Sequence, residues 1–183
     1  MIIPVTVYGD PLLRKNSQPI DKNYEGLKEL IENMYETMYN ADGVGLAAPQ
    51  IGLNILLFIV DATPMAEEEP ELKNFKKVFI NPKILSSSGE PWEMEEGCLS
   101  LPNIRENVTR NEEVTIQYFD ENWEEKTETY KGYAARVILH EYDHLIGKLF
   151  IDYISPLRKR LLKSKLMAIS KGKTTATYRI RVP

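Results

Sequence analysis

The chain has 183 residues, 43% hydrophobic and 27% charged, with one cysteine and two histidines. That length supports a single domain, 1–183, with a real hydrophobic core, and a lone Cys98 excludes an internal disulfide and fits a reducing compartment. The longest obvious apolar run, Ile55–Val60, is strand-sized, and Met1-Ile2-Ile3-Pro4-Val5 lacks the basic and long apolar regions of a signal peptide, so neither a membrane span nor a leader is expected.

In chain order, residues 24–40 read as an amphipathic helix. Leu27, Leu30, Ile31, Met34 and Met38 recur at three- and four-residue steps, with Asp21 or Asn23 as the expected cap and Gly43 beyond the end. The small, turn-rich stretch Gly43-Val44-Gly45-Leu46-Ala47-Ala48-Pro49-Gln50 follows. Ile55–Asp61 and Lys77–Leu85 read as buried strands, with an exposed acidic loop over 63–76 between them. Val114, Ile116 and Tyr118 alternate with polar residues, and a turn at Asp120–Trp123 before the polar-rich Glu124–Lys131 predicts a hairpin. Tyr133–Ile146 is a helix apolar nearly all round, stopped by Gly147. A further helix is expected over Pro156–Lys171 and a last strand over Thr174–Val182. The sum is an α+β domain, antiparallel strands packed around one central buried helix.

The net charge of −4 conceals an asymmetry. Residues 157–183 carry nine Lys/Arg and no acid, leaving 14 basic against all 27 acidic side chains elsewhere: a body of −13 and a tail of +9. This basic helix and tail reads either as a solvated face or as a docking arm for an anionic surface such as RNA. No sequence-specific DNA binding is expected.

The buried helix carries the chemistry. Both histidines lie on it, four residues apart, in His140-Glu141-Tyr142-Asp143-His144. Residues i and i+4 share a helix face, so two imidazoles can meet one metal ion while Glu141 lies beside it as general base. Two core histidines bonded to backbone are the bland alternative, and they leave a buried Glu141 without a purpose. A site needs a third ligand. No His or Glu follows His144, and Asp152 is the only carboxylate downstream, so Cys98 within Glu95-Glu96-Gly97-Cys98-Leu99-Ser100 is the better candidate, with Gly97 letting the backbone bend. Two imidazoles and a thiolate with a fourth position open suit Zn²⁺ or Fe²⁺. A metal-free Cys–His hydrolase and an inert buried cysteine are the other readings of Cys98.

Three stretches together, Gly43–Gln50, Glu96–Ser100 and His140–His144, resemble the peptide deformylases in order and spacing, and the resemblance runs from about Tyr8 to Pro156. It implies removal of the formyl group from N-terminal formyl-methionine of new polypeptides, with release of formate, in a bacterial cytoplasm. It implies one divalent ion, by preference Fe²⁺ with Zn²⁺ as the alternative, on Cys98, His140 and His144. Glu141 would then move the proton, and Gln50 with the Leu99 backbone N–H would bind the oxyanion. Val44 and Gly45 would pair with the substrate backbone as an added strand. Tyr133, Val137 and the stem of Arg136 are candidate walls of a methionine slot; plain core is the alternative for Val137. Asp143 is expected to brace the helix through Arg110, and Glu96 to lie behind the ligands. The rivals are a general HExxH peptidase, separable by formylated against unformylated Met-peptides, and a binding module with a structural metal, which lacks a fourth ligand. An emerging substrate gives the tail a candidate target: the ribosome surface.

Overall fold

The computed structural model describes residues 1–183. In order it contains β1 (Val5–Thr6), α1 (Leu27–Asn40), β2 (Gly45–Ala47), β3 (Leu57–Asp61), β4 (Lys76–Cys98), β5 (Leu101–Phe119), β6 (Glu125–Lys131), α2 (Gly132–Leu145), α3 (Pro156–Ser170) and β7 (Ile180–Arg181). Strands β2 to β6 form one antiparallel sheet in sequence order, and β1 pairs in parallel with β7.

α2 lies at the centre of the molecule. Ala134, Ala135, Val137, Ile138 and Leu145 pack against Phe58, Phe79, Ile116 and Tyr118 of the sheet. α1 covers a second core through Ile31, Met34 and Met38 over Leu46, Leu57, Ile59 and Ile80. α3 closes a third with Leu166 and Ile169 against Leu101, Ile104, Val108 and Phe150. Gly147 ends α2 at φ 73°, and a Cβ there would lie 2.6 Å from the carbonyl oxygen of Arg14. Both the backbone angle and the close approach call for glycine.

Several expectations are corrected. The start of α1 is capped by Gly26 at φ 75°, not by Asp21 or Asn23; Asp21 spends its carboxylate on the Asn23 N–H, 2.8 Å away, in the preceding turn. The 63–76 segment is not simply an exposed loop. It contains two short 3-10 turns, and Leu72 and Phe75 plug the central core. β4 runs on to Cys98, well beyond Leu85, as a ribbon with β5. Residues 85–91 of that ribbon are exposed and show no apolar alternation, so only cross-strand pairing holds them. Residues 174–182 form a strand only at Ile180–Arg181. The bend at Gly97 lies chiefly in the partner: Gly97 pairs with Arg105 but Cys98 pairs with Leu101, so the extra residues are Pro102–Ile104 of β5. Gly97 itself does not take a positive φ.

Candidate metal centre and active site

β4 ends on Cys98 just where α2 passes beneath it. The donor atoms of Cys98, His140 and His144 all lie within 4.8 Å of one another. Cys98 Sγ is 3.4 Å from His144 Nε2. A tetrahedral ion with bonds of about 2.3 Å to sulfur and 2.0–2.1 Å to nitrogen spaces such donors about 3.4–3.6 Å apart. The Cys98–His144 separation matches that spacing and the third donor lies close by, so these three residues could hold a divalent metal.

A buried charge network fixes the first histidine. His140 Nδ1 lies 2.8 Å from Glu96 Oε1, which leaves Nε2 for an ion. Glu96 also accepts from Arg110 Nε at 2.7 Å and from Arg136 at 2.8 Å. Arg110 in turn donates to Asp143 at 2.9 Å and lies over the Tyr153 ring. Two carboxylates and two guanidiniums thus neutralise one another in the interior. Burial alone would raise the Glu96 pKa, but the bonds from His140 and Arg110 hold it well below the usual carboxylate range. The expected Asp143–Arg110 pair is present, and Glu96 lies against the Nδ1 side of His140. Burial holds His144 well below the usual imidazole value, with His140 and Arg110 adding to the effect, which favours the neutral ring.

Glu141 is 5% exposed, and its Oε2 is buried with no protein partner. Burial pushes it up to about 7, against the pull of His140. A dication beside it shifts the balance back toward the carboxylate. Gly45 makes room for this group: a Cβ there would lie 2.7 Å from Glu141 Oε1. Gln50 sits in a 3-10 turn, and its orientation is set by the Ala47 N–H, which donates to Oε1 at 2.9 Å. Its Nε2 is thereby turned toward Cys98 Sγ at 3.5 Å and Ser100 Oγ at 3.2 Å.

These groups face a cavity of about 490 Å³. Val44, Gly45, Gln50, Cys98, Leu99, Tyr133, Arg136, Val137, His140 and Glu141 all border it; His144 does not, lying 1% exposed behind Cys98. Arg136 borders the cavity and is also tied into the interior. Its guanidinium is not a free head on an aliphatic wall but is locked to Glu96, the Val108 and Trp92 carbonyls and the Trp92 ring. Sequence reasoning missed Ser100 as the partner of Gln50, although it stands inside a quoted motif. It also missed Thr175–Tyr178, which line the cavity from the far end of the chain and carry no local signal.

Comparison with known proteins agrees with this geometry. The polypeptide deformylase family model matches residues 2–160. A peptide deformylase of Christiangramia forsetii is 55% identical over 190 residues, spanning 100% of this chain and 97% of the relative. A peptide deformylase of Flavobacterium psychrophilum is 54% identical over 189 residues, again spanning 100% and 97%. Among solved structures, a peptide deformylase from Legionella pneumophila superposes with a TM-score of 0.83 at 38% identity, over 94% of this chain and 98% of that one. With its fold, its cavity and a Cys/His/His group able to hold an ion, this chain belongs to the polypeptide deformylases, metalloenzymes that hydrolyse the N-formyl group from nascent polypeptides.

Proposed function

We propose that Cys98, His140 and His144 hold the catalytic ion, that Glu141 moves the proton, and that Gln50 and the Leu99 N–H receive the oxyanion. The observation that carries this reading is the three donors within 4.8 Å of one another beside a buried carboxylate with an unpaired oxygen. An ion held there supplies Lewis acidity, making hydroxide available near neutral pH and polarising the formyl carbonyl. Glu141 takes the proton of the attacking water and delivers it to the leaving amine. Gln50 Nε2, fixed by Ala47, and the Leu99 N–H are preorganised donors for the carbonyl oxygen as its charge develops. We assign Fe²⁺ as the ion, with thiolate ligation and oxidation at the metal or at Cys98 accounting for the oxygen sensitivity expected of it. Anaerobic purification, metal analysis and formate release from formyl-Met peptides test the whole reading; a fully active zinc form with no bound iron overturns the choice of metal.

Substrate alignment follows from β2. Val44 O accepts from the Asp61 N–H at 2.8 Å, so alternation turns the Gly45 backbone groups to the open edge of the sheet, beside the cavity. An extended peptide can pair there, with its methionine side chain toward Tyr133, Val137 and the inner end of Arg136.

The basic tail is the docking arm of this reading. Lys159, Arg160 and Lys163 are exposed, have no carboxylate partner, and line a cleft of about 500 Å³ beside the paired Arg14 and Asp152. We assign them to ribosomal RNA, and the enzyme to the bacterial cytoplasm where its substrate emerges. Reversing these three charges should weaken co-sedimentation with ribosomes and its salt dependence. Equal pelleting of parent and variant refutes the assignment. Deleting residues 157–183 is the poorer test, because Leu166, Ile169 and β7 leave with them.

A further inference from the structure

β4 and β5 are joined by a two-residue turn, Leu99–Ser100, between the paired Cys98 and Leu101. Both of its carbonyls are held from outside the hairpin. Ser100 O accepts from the Tyr8 N–H at 2.9 Å. Leu99 O accepts from the Tyr178 hydroxyl at 2.7 Å. On the other side, Gln50 Nε2 donates to Ser100 Oγ at 3.2 Å. Tyr178 reaches this turn because the chain beyond α3 doubles back. Asn103 Nδ2 donates to Thr175 Oγ1 at 2.6 Å, the Val5 N–H to Arg179 O at 3.0 Å and the Val7 N–H to Arg181 O at 3.2 Å. The returning segment forms a wall of the same cavity.

The middle peptide of a two-residue turn is its free hinge, since turn types differ mainly in how that peptide is rotated. In this turn it carries Leu99 O. Its rotation is coupled through a single Cα to the peptide that carries the Leu99 N–H. A clamp on the carbonyl is therefore a clamp on the aim of the N–H. Donors in an oxyanion site accelerate a reaction in proportion to how well they are fixed before charge develops.

We propose that Tyr178 is a positioning residue for deformylation: its hydroxyl locks the Leu99–Ser100 turn and thereby aims the Leu99 N–H at the developing oxyanion. The inference rests on the reading of Leu99 and Gln50 as oxyanion donors. It gives residues 174–178 a function in catalysis that is separate from any docking by α3.

Tyr178→Phe keeps the ring and the wall and removes only the hydroxyl. In the metal-loaded enzyme, kcat for a formyl-Met peptide should fall about three- to tenfold, the scale of one neutral hydrogen bond, with KM within about twofold and metal content unchanged. Amide exchange at Leu99 and Ser100 should quicken, while Val5 and Val7, bonded to the returning segment, stay protected. A kcat within about twofold of the parent overturns the proposal on that same scale. So does loss of protection at Val5 and Val7, which would trace the defect to detachment of the whole segment. Gln50→Ala, measured alongside, separates the two readings. A large loss there with none in Tyr178→Phe leaves the oxyanion reading standing and removes Tyr178 from it; no loss in either removes both.

Discussion

α2 and α3 are nearly the same length, 14 and 15 residues, yet they use their sequences in opposite ways. α2 buries nine side chains, among them Arg136, Glu141, Asp143 and His144. α3 buries only Leu166 and Ile169, and points its lysines and arginines to solvent. A charge on α2 has no water to fall back on and must be paired, ligated or used. A charge on α3 is solvated whatever its neighbours do, so its removal leaves the fold nearly untouched. The difference teaches where single substitutions speak about chemistry and where they speak only about association.

The sharpest test on the α2 side is Glu141→Ala. Metal content should be retained while turnover falls about 10²–10⁴-fold, the usual worth of a positioned acid–base group; a metal-loaded variant with near-normal kcat breaks the assigned role. Glu96→Ala should come next. It leaves buried Arg136 without a carboxylate, leaves Arg110 with Asp143 alone and frees His140, so unfolding should cost about 3–5 kcal/mol less and metal affinity should drop about 10–100-fold, read by chemical melts and chelator competition. Gly45→Ala pushes a methyl against the Glu141 side chain, and displacement of that group on the order of 1 Å costs up to about 10²-fold in kcat, with overpacking lowering stability by about 1–3 kcal/mol. On the α3 side, Lys163→Ala removes an exposed charge with no carboxylate partner and should shift the melting temperature only slightly, with turnover unaltered. A large loss of activity there would erase the contrast between the helices.

The mildest effect lies in acid. Burial alone would raise the pKa of Asp61, but hydrogen bonds from Thr63 and Tyr39, with Lys76 nearby, lower it overall. A group depressed in the folded state stabilises fully above its unfolded value of 3.8, and that contribution is lost as pH falls through the folded value. Urea melts should therefore show an acid limb below about pH 4 that is shallower in Asp61→Asn.

What could be read in advance follows the same divide. α2, its histidine pair and the Asp143–Arg110 contact were legible because a buried polar group on an apolar helix demands an explanation. The β5–β6 hairpin was legible because Val114, Ile116 and Tyr118 alternate across one buried face. The outer half of β4 was not, since Ser86–Glu90 is exposed and polar and is held by its partner strand alone. Leu72 and Phe75 were lost in an acidic loop whose composition speaks for solvent while two of its side chains fill the core. Tyr178 was beyond any local pattern. Its partner lies far back in the chain, and only the doubling back of the segment after α3 brings the two together.

The parallel pairing of Val5–Thr6 with Ile180–Arg181 has a consequence for biosynthesis. The first of these strands leaves the ribosome long before the second, so β1 waits without its partner while the rest of the chain is translated. Pairing segments so far apart in the chain carries a loop-closure cost and raises the contact order, which slows folding. The wall of the cleft formed by Thr175–Tyr178 is thus translated after every other residue that lines it, and the cleft stays incomplete until that returning segment has been made.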